Sequence, residues 1–351
     1  FINMKIDLSD GVAWMHGKIM PLKEASLPLN DWGLTRSDIT YDVVPVINGA
    51  FFRLNDYLNR FEASMKDMRL NPKLSRAEIQ KALTDMVSVS GLRNSYVSMV
   101  CSRGVPNVVG SRNPKDCENH FFAWCVPYVN IIKPEIAKDG ASAWIPDKIK
   151  RIPEDSVNPR NKNYHWGDLT KGLFEAKDND SETVILVDHN NYVTEGPGFN
   201  VFAVKDNVVL TSGHGVLEGI SRLTVLDICD ELSIKKQVRP ITKGEFMEAD
   251  EIFLSTSSGG LVPITKVNNR IFSNNAPGEM TTKLLKCYWN WTEKNELRTE
   301  IDYKTHGTEF NVTAKGKFSK ILNQLILTTF IIAILLIFYV IYKDYPELLN
   351  L

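Results

Sequence analysis

The first 130 residues contain short runs of alternating apolar and polar positions, followed by runs with apolar positions at helical spacing. Asn48-Gly49 lies between two apolar runs, which predicts a tight hairpin turn. Residues 54–70 place apolar side chains every three or four positions, which predicts a helix. Ser75 and Glu78 have the spacing of a capping box, so a second helix is predicted to begin there. The strands predicted for this α/β unit are residues 11–16, 18–21, 42–48, 50–53, 96–101 and 121–129.

The second half again mixes strands with helices, although its sequence does not repeat the first half. Strands both precede and interleave with helices, so the predicted fold class is α+β with mixed sheets. No GxGxxG motif follows a strand, which argues against a Rossmann-type cofactor site. We predict a small amino-terminal domain (1–130), a connection (131–138) and a large carboxyl-terminal domain (139–303). The predicted strands here are residues 141–145, 183–188, 192–194, 200–205, 208–211 and 251–254, and the predicted helices are 166–177, 221–232 and 277–292.

An apolar run near the carboxyl end has a different character. Residues 321–342 contain no charged side chain, and a polar linker (304–320) precedes them. At a rise of about 1.5 Å per residue, about 22 helical residues span roughly 33 Å, enough for a bilayer core of about 30 Å. Three lysines within 315–320 precede the run against one directly after it, which places the body on the cytoplasmic side. We therefore predict a transmembrane helix at 321–342; the alternatives are a buried core helix or an apolar tail that the body does not need.

Composition and charge exclude several classes of protein. The chain of 351 residues has 41 Lys+Arg against 42 Asp+Glu, so no nucleic-acid partner is predicted. Its 43% hydrophobic content is that of an ordinary globular protein. The five cysteines are scattered without a CxxC pair, which favours a reducing compartment over a disulfide framework. Cys117 and His120 are close in sequence, but two ligands on a loop make no site, and no metal is predicted.

Lys162 is the first candidate for chemistry. It lies in a polar and aromatic stretch, residues 158–166, that leads into a predicted helix. A lysine nucleophile must lose its proton, which requires burial or a neighbouring positive charge. Tyr164, Trp166 and Arg160 are near enough in sequence to provide both. Taken alone, a lysine before a helix is more often a solvated surface residue.

Two further features follow within a hundred residues. Glu195 lies in a glycine-rich turn between strands, where backbone amides could fix its carboxylate, although a turn-capping role is the simpler interpretation. Residues 217–222 (Leu-Glu-Gly-Ile-Ser-Arg) lead into a helix with Ser221 as the predicted N-cap, which makes an anion site. The small residues 255–260 could add hydroxyls to the same anion. A lysine, a carboxylate and a phosphate cup are together what pyridoxal 5'-phosphate needs.

These residues lie within or between a series of sequence motifs: KNYHWGDL (162–169), EAK (175–177), VTEGPGFNV (193–201), GVLEGISR (215–222), ADEIF (249–253) and PG (277–278). Their order and spacing are highly specific. Through them, from about residue 11 to residue 303, the sequence resembles the fold-type IV (class IV) pyridoxal-phosphate aminotransferases, which have a D-amino acid aminotransferase-like fold. Within that family it is most similar to the (R)-selective amine transaminases and branched-chain aminotransferase-like proteins.

The resemblance implies roles for individual residues and a homodimer as the active unit. Lys162 would form the Schiff base with the cofactor and shuttle the proton, and Glu195 would bind the pyridine nitrogen. The phosphate would be held by Arg60, Ile220, Ser221 and Ser257, with Leu217 packed on the cofactor ring. Tyr41, Val43 and Trp166 would shape the substrate pocket.

Three departures from the family concern the substrate. Ser98 stands where branched-chain enzymes carry a carboxylate-binding arginine, and Arg36 stands where amine-selective relatives carry a histidine. Their mobile carboxylate-recognising arginine aligns with Val109, with Arg112 in the same loop. Because an arginine fork recognises a carboxylate bidentately, Arg112 or Arg36 could take over that task.

The predicted activity is therefore transfer of an amino group from an amine or amino acid to a 2-oxo acid, with (R)-amine selectivity. The alternatives are a branched-chain or D-amino acid aminotransferase, an aminodeoxychorismate lyase on the same fold, and a membrane-tethered scaffold without activity. The lyase is disfavoured by Trp166-Gly-Asp168 and Pro197-Gly-Phe199, and the scaffold by the retention of Lys162 and Glu195. The predicted location is a cytoplasmic body tail-anchored to a membrane.

Overall fold

A computed structural model of the chain describes residues 8 and 10–303, and within that range it contains two β-sheets with helices packed on them. The strands, in chain order, are β1 (Val12–Met15), β2 (Lys18–Pro21), β3 (Ile39–Ile47), β4 (Ala50–Phe52), β5 (Ser95–Ser102), β6 (His120–Pro127), β7 (Ala141–Trp144), β8 (Thr183–Val184), β9 (Glu195–Gly196), β10 (Phe199–Lys205), β11 (Val208–Thr211), β12 (Lys236–Val238), β13 (Glu251–Thr256), β14 (Gly260–Val267), β15 (Arg270–Ile271) and β16 (Arg298–Glu300). The α-helices are α1 (Trp32–Arg36), α2 (Leu54–Asp67), α3 (Arg76–Ser90), α4 (Pro134–Ala137), α5 (Gly167–Asp178), α6 (Ile220–Glu231), α7 (Lys243–Met247) and α8 (Glu279–Trp291).

The first sheet is antiparallel, with the strand order β16-β4-β3-β5-β6-β1-β2. Residues along a strand alternate between its two faces, so β3 divides its side chains between two environments. Val44 and Val46 face the apolar sides of α2 and α3 and form one core with them. Tyr41 and Val43 face the other way, into a smaller cluster with Val100. This second face borders the candidate site.

The second sheet is mixed, with the main strand order β12-β11-β10-β13-β14-β7-β8 and parallel pairing at β11–β12, β14–β7 and β7–β8. One face is covered by α6 and α8, through a core that includes Phe202, Phe253 and Leu284. The predicted α+β class with mixed pairing is confirmed.

Local sequence signals located several elements well. The capping box is present, since the Ser75 hydroxyl accepts from the Glu78 N–H and the Glu78 carboxylate accepts from the Ser75 N–H. The prediction of Ser221 as an N-cap was wrong by two residues. The N-cap is Gly219, and the Ser221 hydroxyl instead pairs with the Tyr288 hydroxyl. Strand β14 was not predicted; it contains Pro263, which cannot donate a hydrogen bond to a ladder.

The short helix α4 occupies part of the predicted interdomain connection. The chain returns to the first sheet at the end of the described range, where β16 pairs with β4. The domain division at 131–138 stays a prediction. The linker 304–320 and the apolar run 321–342 lie outside the described residues. Within the described range, no helix has both the length and the apolarity needed to cross a bilayer.

Candidate active site

A cleft opens where elements of the two sheets meet. Most of the residues predicted for the site line this one cleft: Tyr41, Arg60, Lys162, Trp166, Glu195, Leu217, Ile220, Ser221 and Ser257. Residues that lie more than two hundred positions apart in sequence are therefore brought together.

Lys162 is held on the first sheet by its backbone. Its carbonyl oxygen accepts from the Tyr41 N–H at 3.1 Å and from the Thr40 hydroxyl at 2.8 Å. The Lys162 Nζ lies 4.7 Å from the centre of the Tyr41 ring. Burial, followed by the nearby Arg60 cation, lowers the pKa of Lys162 to about 8. At that pKa roughly a tenth of the amine is unprotonated at pH 7, far more than for an ordinary lysine, and the unprotonated form is the nucleophile.

Glu195 also lines the cleft, from the short strand β9. One carboxylate oxygen accepts from the Leu217 N–H at 2.9 Å, and the other accepts from the Arg151 guanidinium at 3.1 Å. Burial raises the pKa of Glu195, while Arg151 and the Leu217 amide act against that rise. Arg151 also binds Asp168 at 2.7 Å, so two carboxylates share one buried cation. Glu195 is thus oriented from two sides.

Helix α6 begins at the edge of the cleft with Gly219 as its N-cap and without a side-chain cap. The first N–H groups of a helix have no intrahelical partners, so those of Ile220 and Ser221 are free for an anion. A side chain at 219 would place Cβ 2.1 Å from the Asn200 Oδ1, which explains the glycine. Ser255 and Ser257 line the cleft at the end of β13, and the buried Ser255 hydroxyl has no hydrogen-bond partner among the described residues.

Arg60 projects into the cleft from α2. Its guanidinium makes a two-pronged ion pair with the buried Asp42, at 2.6 and 2.8 Å, and a third bond to the Glu218 carbonyl at 2.9 Å. The pair fixes the direction of the guanidinium and offsets part of its charge. Sequence reasoning identified Arg60 but missed its partner Asp42.

Three residues predicted for the substrate pocket do not line the cleft. Val43 is buried beside Tyr41 on the same face of the first sheet. Arg36 is exposed and stacks on Trp32, with its Cζ 3.4 Å from the ring centre. Arg112 is exposed in the loop between β5 and β6. In the described part of the chain, neither Arg36 nor Arg112 is among the residues that line the cleft.

Residues 40–267, more than half of the chain, match the family described as amino-transferase class IV. The chain is a class IV aminotransferase. It is 27% identical to a putative branched-chain-amino-acid aminotransferase of Methanocaldococcus jannaschii, over 84% of this chain and 98% of the relative. It is 26% identical to the D-alanine aminotransferase of Bacillus licheniformis, over 78% and 95%. The branched-chain amino acid aminotransferase of Thermobaculum terrenum, solved in its PLP-bound holo-form, matches its fold with a TM-score of 0.74 at 23% identity, covering 85% and 100%.

Aminotransferases of class IV use pyridoxal 5'-phosphate, so the predicted family, enzyme class and cofactor are confirmed. The bound cofactor supplies an aldehyde for an amine and a ring that accepts electrons. The cleft fits this group: an amine of lowered pKa and a carboxylate lie at its walls, and an uncapped helix start lies beside an unpartnered serine hydroxyl. (R)-amine selectivity stays a prediction.

The sequence did not reveal Arg151 or Asp168. Arg151 lies in a basic stretch, KIKR (148–151), and such stretches are typical of a solvent-exposed surface. Its two acidic partners lie 17 and 44 residues away along the chain. Asp168 lies within the KNYHWGDL motif, which by itself indicates no partner for its carboxylate. A buried ion pair between distant segments leaves no local pattern, so no signal in the single sequence could have assigned these partners.

Proposed function

We propose that Lys162 is the catalytic lysine of this aminotransferase and that Glu195 holds the pyridine nitrogen of its cofactor. The lowered pKa of Lys162 supports the first role, because the amine can act both as nucleophile and as proton carrier at Nζ. The hydrogen bonds that orient Glu195 support the second. Arg60, Ser221 and Ser257 would bind the phosphate with the free N–H groups of α6.

We propose that the amino donor is an amine with an apolar substituent, taken with (R) selectivity, and that a 2-oxo acid is the acceptor. The observation that carries this proposal is that the arginines among the described lining residues are already paired with carboxylates. Arg60 is paired with Asp42, and Arg151 is paired with Glu195 and Asp168. Since Lys162 would bind the cofactor, no unpaired cation in the described lining is left for a donor carboxylate. The carboxylate of the 2-oxo acid acceptor would therefore need Arg36 or Arg112 to move to the cleft.

Two of the lining residues near Lys162, Tyr41 and Trp166, are aromatic. Tyr41, Val43 and Val100 form a buried cluster against which Trp166 packs. The Tyr41 and Tyr164 rings lie 4.5 Å apart, centre to centre. The buried Ser98, directly across from Val43, offers only a hydroxyl where an arginine would be needed for a carboxylate. Such a surface favours an aromatic or branched apolar substituent over a charged one.

The second candidate is a branched-chain or D-amino acid aminotransferase. It is favoured by the names of the relatives in Methanocaldococcus jannaschii and Bacillus licheniformis. In that case Arg36 or Arg112, both exposed and outside the described lining, would have to move to the substrate carboxylate.

A half-reaction with the cofactor-loaded full chain distinguishes the two candidates. The absorbance of the bound cofactor is followed after addition of (R)- or (S)-1-phenylethylamine, L-leucine or D-alanine. We expect the (R)-amine to bleach the absorbance at least about tenfold faster than the others, equivalent to about 1.4 kcal/mol in the barrier. Faster bleaching by L-leucine or D-alanine would instead support the second candidate, and Arg112→Ala and Arg36→Ala would then identify the carboxylate ligand.

We also infer that the aminotransferase works as a homodimer. Four large apolar side chains are exposed at one end of the first sheet: Leu29, Leu34, Val108 and Val109. The two segments that carry them are joined by a hydrogen bond from the Trp32 N–H to the Gly104 carbonyl. Val109 is fully exposed, which is unusual for an apolar residue unless a partner covers it.

Val109→Asp is expected to weaken self-association at least about tenfold, because a carboxylate buried at an apolar contact lacks a partner. The mass of the full chain across a dilution series measures this. Val238→Asp, a similar change at an exposed valine on β12, serves as the control. An unchanged dimer in the Val109 variant would exclude this surface as the interface. Anchoring through 321–342 stays a prediction from the sequence.

A further inference from the structure

Two buried tyrosines lie directly behind the two serines of the proposed phosphate site. The Tyr57 Oη is 2.7 Å from the Ser257 Oγ, and the Tyr288 Oη is 3.0 Å from the Ser221 Oγ. Both tyrosines are almost completely buried and neither lines the cleft, whereas both serines do. Each serine hydroxyl therefore lies between the cleft and a tyrosine hydroxyl.

The four hydroxyls come from four separate parts of the fold. Tyr57 is one turn before Arg60 on α2, so the same helix supplies a cation to the cleft and a hydroxyl behind it. Tyr288 projects from α8 and packs in the core under α6. The backbone next to Ser257 is fixed separately, because the Tyr128 hydroxyl donates to the Ser257 carbonyl and accepts from the Gly259 N–H. What remains free is the direction of each serine O–H.

The number of hydroxyl hydrogens in each serine–tyrosine pair decides where the serine O–H points. A phosphate ester carries close to two negative charges at neutral pH and offers only acceptor oxygens. A serine has one hydroxyl hydrogen, so a serine that donates to phosphate cannot also donate to a tyrosine. The tyrosine must then be the donor in each pair. Burial raises the pKa of Tyr57 and Tyr288, so both keep the hydrogen that this arrangement needs.

We propose that Tyr57 and Tyr288 are positioning residues that donate to Ser257 and Ser221, so that both serine hydrogens point into the cleft at the cofactor's phosphate. The proposal rests on the phosphate role proposed above for the two serines. Without the tyrosine hydroxyl, each serine can turn its hydrogen away from the cleft. The fold thus fixes the hydrogens of the phosphate site before the ligand arrives, which lowers the cost of binding it.

The test compares two probes that differ only in the phosphate, pyridoxal 5'-phosphate and pyridoxal. We expect Tyr57→Phe and Tyr288→Phe each to weaken binding of pyridoxal 5'-phosphate to the cofactor-free full chain about three- to tenfold, the effect of one hydrogen bond. Binding of pyridoxal should stay within about twofold, since it makes no phosphate contact. Tyr303→Phe removes a distant tyrosine hydroxyl, bonded to the Leu92 carbonyl, and should change neither affinity.

A double substitution separates positioning from packing. If Tyr57 acts through Ser257, then Tyr57→Phe should add nothing once Ser257→Ala is present. An equal loss for both probes, or full additivity in the double variant, would overturn the proposal and leave the tyrosines as core residues. If the wild-type chain binds pyridoxal 5'-phosphate no more tightly than pyridoxal, the phosphate site itself fails. The melting temperature of each cofactor-free variant shows whether it is folded.

Discussion

Replacing Lys162 with arginine is expected to lower the turnover of this aminotransferase about a thousandfold or more, because proton transfer and covalent attachment are lost together. Arginine keeps a positive charge and similar length, but its guanidinium does not lose a proton in proteins. The charge in the cleft is therefore kept while the chemistry is removed. Steady-state transamination measures the loss, and borohydride reduction followed by peptide mass measurement shows whether the cofactor is attached to the fragment containing residue 162.

The matched control is Lys171→Arg, the same substitution at an exposed position on α5. It should keep full turnover and full attachment. Attachment of the cofactor to another lysine in the Lys162 variant, with turnover retained, would contradict the assignment.

The environment of Lys162 also sets a pH dependence. Its pKa is lowered to about 8, first by burial and then by Arg60. Below that pH the amine is protonated and unreactive, so the rate at which the cofactor-free chain captures pyridoxal 5'-phosphate should fall about tenfold per unit as the pH drops. Above it the rate should level off. An ordinary lysine would still be gaining reactivity up to a pH of about 10.4.

Glu195→Gln is the second substitution with a large expected effect, about a hundred- to a thousandfold in turnover. Glutamine keeps the size of the side chain and can still accept from the Leu217 N–H. It carries no charge, so it cannot hold a proton on the pyridine nitrogen. We expect the cofactor to stay attached to Lys162 while turnover is lost. Glu182→Gln, next to β8, is the control, and equal turnover in both variants would rule out the proposed role.

Arg151→Gln tests the role of Glu195 by removing the cation that is paired with it. Arg151 lowers the pKa of Glu195 against the effect of burial, so its removal lets that pKa rise. Because Glu195 would act as a carboxylate in the proposed role, the acidic limb of the turnover profile should move to higher pH in this variant. A profile that only decreases in height, with no shift of its acidic limb, would mean that Arg151 has a structural role alone. Buried Asp168 also loses a partner, so thermal stability is measured in parallel.

Local signals in the sequence predicted the caps and turns that are determined by residues close together along the chain. The capping box at Ser75 and the hairpin at Asn48-Gly49 are set by residues within four positions of each other, and both were located. Motif spacing placed Lys162 and Glu195, which the fold brings to one cleft. The N-cap of α6 was predicted two residues too late, at Ser221, whereas the structure has it at Gly219.

Side-chain contacts between residues that lie far apart along the chain were not predictable from one sequence. Asp42 looked like one polar position in an apolar strand, although its carboxylate holds Arg60. Tyr57 fitted the apolar face of a helix, which is correct for its ring and does not indicate the task of its hydroxyl. The ion pair of Arg151 and the hydroxyl pairs behind the serines join segments with no shared local pattern. Such contacts follow from the topology and become apparent only when the fold is assembled.

The return of β16 to the first sheet has a consequence for how the chain folds during synthesis. Strand β4 receives its outer neighbour only when residues 298–300 have left the ribosome, after the whole second sheet. Until then the edge of β4 exposes unpaired backbone groups, which other chains can pair with. The Arg53 N–H likewise gains its hydrogen-bond acceptor, the Leu297 carbonyl, only after residue 297 has been synthesised. The first sheet therefore cannot be completed by the amino-terminal half alone, because β16, the last strand of the described residues, is needed to cover the edge of β4.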